Sequence, residues 1–389
     1  MPRLKRDLWF FYFSLLFFSL AFGLYSIFLP AYIRNLGASP VNLGLLGSIG
    51  MGISTLAALP GGWLTDRYDR KRLMIIGWCM CIPVPIIFSL AKTWQWLIPG
   101  YILFYLSMFS NTPMQAYIAD KADPGNVAST FTIVFSSFSL GNILSPAVGG
   151  WLTSFVSLRT IFFISFVLYG ISTLIMCGMS PDKPHHVAHQ SSGSWKRALK
   201  PELVTYIVLF TLVMTVLNLP LSFITPYMQD VASFSLLRIG LLGSLTSLGA
   251  VLLAPLIGRV GDRYGIFLAL GCSLVLLATA YGMQLGWNLL PMYGIAFLMR
   301  GGSGSLNSLM TSQIGKIADK EAVGMSFAFY NLATSMGATI APYVAGQLYS
   351  RSPRYPFMLT AILAIALACY FLLRHRRIAL NKSTQQVTA

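Results

Sequence analysis

Charge is what this chain has least of. Only 10% of its residues are Asp, Glu, Lys or Arg, and of those 11 are acidic against 27 basic. A soluble domain of 389 residues would carry far more charge on its surface and would write its core as amphipathic helices or alternating strands; neither pattern occurs here. Cysteine is scarce as well. Its five copies, Cys79, Cys81, Cys177, Cys272 and Cys369, all fall in apolar stretches and none in a polar loop, which argues against a disulfide framework. The close pair Cys79 and Cys81 reads as spectator thiols rather than a soft-metal site. A cleavable signal peptide is missing, because Met-Pro-Arg-Leu-Lys-Arg runs into an apolar stretch that is too long and has no small-residue cleavage site. No G-x-x-x-x-G-K-[ST] loop is present, which argues against an ATP-driven pump.

Apolar residues fill the space that charge leaves. They make up 56% of the chain, with a mean hydropathy of +0.68, and nearly uncharged stretches long enough to cross a bilayer recur throughout. Turn residues and charges place spans near 8–33, 41–64, 73–91, 95–118, 127–152 and 157–179, then near 203–229, 236–259, 266–285, 289–313, 322–349 and 355–373. The expectation is an all-α membrane protein of twelve transmembrane helices.

An even span count puts both termini on one side and sorts the cations into two groups of loops. Twenty, among them Arg67, Arg70, Lys71, Arg72 and Lys121, share the side of the termini; six, Arg34, Lys92, Arg159, Arg238, Arg351 and Arg354, lie opposite. The positive-inside rule then makes both termini cytoplasmic. The net charge of +16 is thereby a topology signal that suits anionic lipid headgroups and needs no nucleic acid.

The stretch LGLLGSIGMGISTLAALPGGWLTDRY (43–68) aligns without gaps on IGLLGSLTSLGAVLLAPLIGRVGDRY (239–264), a shift of 196 residues. The same shift carries Pro30 to Pro226, Asn111 to Asn307, Gly141 to Gly337, Pro146 to Pro342 and Gly150 to Gly346. One offset throughout marks a duplicated six-helix unit. The expected organisation is a six-helix half over 1–180, a cytoplasmic linker over 181–201, a second half over 202–377 and a tail over 378–389. His185, His186 and His189 in the linker read as solvated rather than as metal ligands. Two parallel halves are the architecture of transporters that bind substrate between the halves near midplane. The expectation is a transporter rather than an enzyme, with no cofactor and no metal.

At GGWLTDRYDRKR the chain resembles the major facilitator superfamily. Gly62, Asp66, Arg67, Arg70, Lys71 and Arg72 match its G-x-L-x-D-R-x-G-R-K-R loop, with Asp69 in place of the second glycine. A reduced copy follows at Gly258, Asp262, Arg263 and Gly265. In physical terms Asp66 can accept bonds from the N–H groups of another helix, while the arginines can pair with Asp120 or Asp123. Gly62, Asp66, Arg67, Arg70, Asp120, Asp262 and Arg263 are therefore the candidate conformational latch. GNILSPAVGG resembles a stretch of the drug/proton antiporters in that superfamily, with Ser145 for a glycine; Gly141, Pro146, Gly149 and Gly150 form the candidate helix-packing motif.

The antiporter resemblance weakens elsewhere. The fourth span has Phe104, Tyr105 and Ser107 where those antiporters often carry an arginine, and all 11 acids fall in loops or at helix ends, leaving no midplane group to relay a proton. Arg300 is the sole formal charge near midplane. Its candidate partners are backbone carbonyls opened by neighbouring glycines, water, or an anionic substrate group, and helical spacing puts it on one face with Ser303, Gly304 and Asn307. Carried over from the resemblance, the cavity-lining residues are Phe22, Tyr25, Ser26, Asn111, Gln115, Met214, Asn218, Arg300 and Asn307. The resemblance implies a monomeric secondary transporter of the inner membrane that works by alternating access and exports small amphipathic compounds, with protons or another ion as coupling species. The alternative is a carrier for a specific organic anion held by Arg300.

Overall fold

The computed structural model describes residues 5–123, 125–182, 200–287, 289–318 and 323–388; the linker histidines lie outside them. Among the described residues nine helical runs are long and apolar enough to cross a membrane, and the other three expected spans are helical too. The fourth span is α6 (Ile98–Leu106) and α7 (Asn111–Lys121), joined by the tight turn Ser107–Ser110. The tenth is α14 (Leu290–Gly302) and α15 (Ser305–Ile317). Both breaks carry the same kind of serine bond. Ser107 and Ser110 donate to the carbonyls of Phe104 and Ser107 at 2.6 and 2.7 Å, and Ser303 and Ser305 donate to those of Arg300 and Gly302 at 2.7 and 2.9 Å. A hydroxyl bonded three residues back tightens the local turn. Ser107 and Ser303 are 196 residues apart, so the break was duplicated with the chain. In the tenth span it falls between Arg300 and Asn307.

The described residues of 1–189 form one compact unit together with Ser222–Ser244. Its centre is α1 (Arg6–Ser26), packed against α8 (Val127–Leu152) and α9 (Leu158–Cys177). A Cβ on Gly141 would stand 1.7 Å from Ser19 Oγ, one on Gly23 1.8 Å from Ser145 Oγ, and one on Gly149 2.3 Å from the Leu24 carbonyl. Helices this close require glycine at the crossing. Against α9, Ser14 and Ser172 exchange hydroxyl-to-carbonyl bonds of 2.8 and 2.7 Å, which keeps two buried hydroxyls satisfied within the apolar bundle.

The second unit comprises the described residues of 190–221 and 245–389. It repeats the first unit's close crossing. In it α16 (Val323–Arg351) packs on α10 (Pro201–Asn218), where a Cβ on Gly337 would lie 2.7 Å from Thr215 Oγ1; Gly337 and Thr215 are the duplicates of Gly141 and Ser19. One duplicated contact has its sizes exchanged. Gly50 of α3 (Pro40–Arg67) abuts the Tyr105 ring, whereas in α12 (Leu236–Tyr264) the equivalent Thr246 offers its carbonyl 2.2 Å from where a Cβ on Gly301 would be. The second pair, Thr and Gly against Gly and Tyr, is the smaller one, and the backbone of α14 is drawn against α12.

Candidate functional site

At the end of the first unit that carries the chain's first helix, charge is concentrated and partly buried. Asp69 caps α4 (Arg70–Cys81), its carboxylate accepting from the Arg72 amide at 3.1 Å, so α4 begins at Arg70 and turns that side chain inward. Arg70, buried, donates to Asp120 at 2.6 Å and to Asp182 at 3.2 Å. Lys121 approaches Asp182 at 3.6 Å and Asp7 at 4.0 Å. Asp7 also accepts from the Tyr117 hydroxyl and from the amide and hydroxyl of Ser180 at 3.1–3.3 Å. Three carboxylates thus share two cations beside a helix N-terminus, an arrangement that satisfies buried charge only while these elements stay together.

Of the expected ion pairs one forms. Arg70 takes Asp120 as expected, but Asp123 pairs with Lys5 at 3.0 Å instead. Asp66 and Arg67 lie exposed, with Arg67 stacked 4.3 Å above the Trp63 ring. Gly62 and its duplicate Gly258 both face open space, so nothing packed on them here calls for glycine. Asp182, 7% exposed, is the member of this charge cluster that sequence reasoning did not single out. Its one signal was position, since it is the first charge after the sixth span.

Inside the same unit lies a cavity of about 500 Å³ that brings together three of the expected lining residues, Phe22, Asn111 and Gln115. Phe22 and Phe104 stack 5.2 Å apart with ring planes 5° from parallel. Met51, Met108 and Met114 add polarisable surface, and Cys81, Ser107 and Ser110 add small polar groups; among the described residues no charged side chain lines it. The break at Ser107–Ser110 lies in its wall, because the turn ends α6 and restarts α7 with Asn111 exposed. Tyr25 is not among the lining residues. It is 2% exposed, with its hydroxyl 3.3 Å from that of Tyr169.

In the second unit Arg300 Nη2 donates to Thr246 Oγ1 at 3.0 Å, and its Cζ stands 4.2 Å over the Phe297 ring. Among the described residues its side chain thus meets the Thr246 hydroxyl, the Phe297 face and the side chain of Tyr281. Nη1 is buried with no hydrogen-bond partner among the described residues. Met214 and Asn218 lie on α10, where Asn218 donates to the Met214 carbonyl at 2.8 Å, and Asn307 accepts a long 3.5 Å bond from Tyr330.

A duplicated bundle of apolar helices, with two spans broken at equivalent points and an uncharged cavity opened beside one break, defines the class of membrane solute transporters. The sequence profile of the Major Facilitator Superfamily matches residues 11–240 and 218–388, and the chain belongs to that superfamily as a secondary transporter. It is 26% identical over 362 residues to the multi-drug resistance efflux pump PmrA homolog of Lactococcus lactis subsp. lactis, covering 88% of each chain. To the multidrug resistance protein MdtG of Enterobacter lignolyticus it is 26% identical over 378 residues, covering 92% of this chain and 89% of that one. Among solved structures the nucleoside transporter NupG superposes with a TM-score of 0.81 at 15% identity, covering 95% of this chain and 99% of that one, which shows a shared fold.

Proposed function

We propose that this protein is an exporter of small amphipathic organic compounds, multidrug-like, acting as a monomer in the cytoplasmic membrane with both termini in the cytoplasm. The cavity carries the reading. Its walls offer stacked aromatic rings, methionines and scattered amides and hydroxyls but no fixed charge, a surface that accepts varied apolar ligands and selects few by electrostatics. Relatives named for multidrug resistance, matched over nearly their whole length, support the same reading. Phe22, Asn111 and Gln115 are the proposed contacts in the first unit. With every acid in a loop or at a helix end, a coupling proton would bind at a helix end, as at the Asp7, Asp120 and Asp182 cluster, or travel on the substrate. A second reading, a carrier for an organic anion, is favoured by the buried cation Arg300, whose Nη1 has no partner at hydrogen-bonding distance and angle among the described residues.

The experiment is transport in proteoliposomes of lipophilic cationic, neutral and anionic dyes, with and without an imposed pH gradient. Cationic and neutral dyes are expected to move, and Phe22→Ala to slow them about tenfold or more by removing one face of the aromatic stack. Transport confined to anions, and weakened by Arg300→Lys because a point charge cannot reproduce the planar fork, would replace this reading with the second one.

A further inference from the structure

Of the chain's 11 acids, Asp230 is the one that falls on the side opposite the termini, where six cations lie. Any of the six could have been its partner. The structure joins it to Arg34, the residue 196 positions away and therefore its own duplicate. The elements carrying the two are duplicates as well: α2 (Leu29–Asn35) ends on the turn of Arg34, and α11 (Ile224–Asp230) ends on Asp230. Equivalent residues of two repeats meet where the repeats' pseudo-symmetry axis passes, so the duplication supplied the contact and divergence supplied the opposite charges. A carboxylate at a helix C-terminus is disfavoured by the helix dipole, which gives Asp230 no local reason to be acidic. The cation in the last turn of α2 provides the reason.

Contacts below the pair point the same way. The Thr225 hydroxyl, buried, donates to the Ile27 carbonyl at 2.5 Å. Gly240 would place a Cβ 2.2 Å from the Pro146 carbonyl, Gly150 one 2.9 Å from the Leu236 carbonyl, and the Ala147 amide donates to Ser244 at 3.0 Å. Ser222–Ser244 therefore belongs to the compact unit of 1–189 although by sequence it is part of the second repeat. Polar contacts between repeats that must rock apart in an alternating-access cycle can be made in one access state only.

We propose that Arg34 and Asp230 form the pin of the outer gate, positioning residues that hold the outer ends of the first and seventh spans together in the outward-closed state and separate when the gate opens. The proposal rests on the alternating-access reading and on the orientation proposed above.

The test uses full-length protein in proteoliposomes. In the double variant Arg34→Cys, Asp230→Cys, a short bismaleimide should reduce dye transport about tenfold or more, while the same reagent on wild type, with its five native cysteines, sets the baseline. Transport in the cross-linked double variant within about twofold of the untreated variant overturns the gate. A second measurement needs no transport. With Thr225→Cys as reporter, Asp230→Asn should raise labelling by a membrane-impermeant maleimide about fivefold or more, and the charge exchange Arg34→Asp with Asp230→Arg should return it towards the starting rate. Unchanged labelling overturns the proposal. If wild type moves no dye while the labelling responds as expected, the exporter reading fails and the gate stands.

Discussion

Two carboxylates at the same end of the first unit have opposite physical situations and should fail in different ways. Asp182 is buried against Arg70 and Lys121, and removing it leaves the buried Arg70 with the exposed Asp120 and a long bond to the Ala116 carbonyl. Asp182→Ala is expected to cost about 3 kcal/mol, the low end for breaking a buried pair, seen as a lowered melting temperature in detergent with or without substrate. Asp66 is exposed, so Asp66→Asn should leave the melting temperature near that of wild type. Its transport should still fall strongly, if the carboxylate accepts its bonds in the opposite access state. Equal transport by Asp66→Asn and wild type would remove Asp66 from the latch. The motif pointed to Asp66; which acid is buried depended on where the linker's first residues fold back, and no local pattern encodes that.

At the scale of the element, close helix crossings govern what substitution the bundle tolerates. A Cβ on Gly301 would stand 2.2 Å from the Thr246 carbonyl and 2.4 Å from the Ala250 amide, both backbone atoms that cannot swing aside. Gly301→Val should therefore force α14 off α12, with a penalty of about 3 kcal/mol or more, read as loss of the monodisperse peak in size-exclusion chromatography. Gly170 on α9 meets nothing within 4 Å, so Gly170→Ala should purify and melt like wild type. Both glycines lie in apolar spans and look alike in sequence. Only GNILSPAVGG, whose small residues recur at helical spacing, announced a crossing beforehand, and Gly141, Gly149 and Gly150 each meet a neighbouring helix there.

For the whole molecule, orientation is the property on which the functional reading depends. The charge asymmetry predicts cytoplasmic signals from reporters fused after Ala389 or inserted at Gly193, and an external signal from one inserted at Ala38. An external signal at Gly193 would overturn the twelve-span arrangement and, with it, the placement of Asp230 at the outer gate. The duplication makes the prediction strict, because an offset of 196 residues relates the breaks at Ser107 and Ser303, the crossings at Gly141 and Gly337, and the caps at Ser39 and Ser235.

The sequence by itself determined the class of fold, the spans to within a few residues and the repeat. These follow from hydropathy, charge bias and a single alignment offset, all local or periodic properties that a bilayer reads directly. Tertiary structure alone decided which charges pair and which side chains reach a cavity. Arg70 took Asp182 as well as Asp120, Tyr25 turned to Tyr169, Arg300 found Thr246, and Asp230 met its own duplicate Arg34. Those choices depend on helix rotation and on distances between elements more than a hundred residues apart in several of these pairs, and a period of 3.6 residues specifies neither.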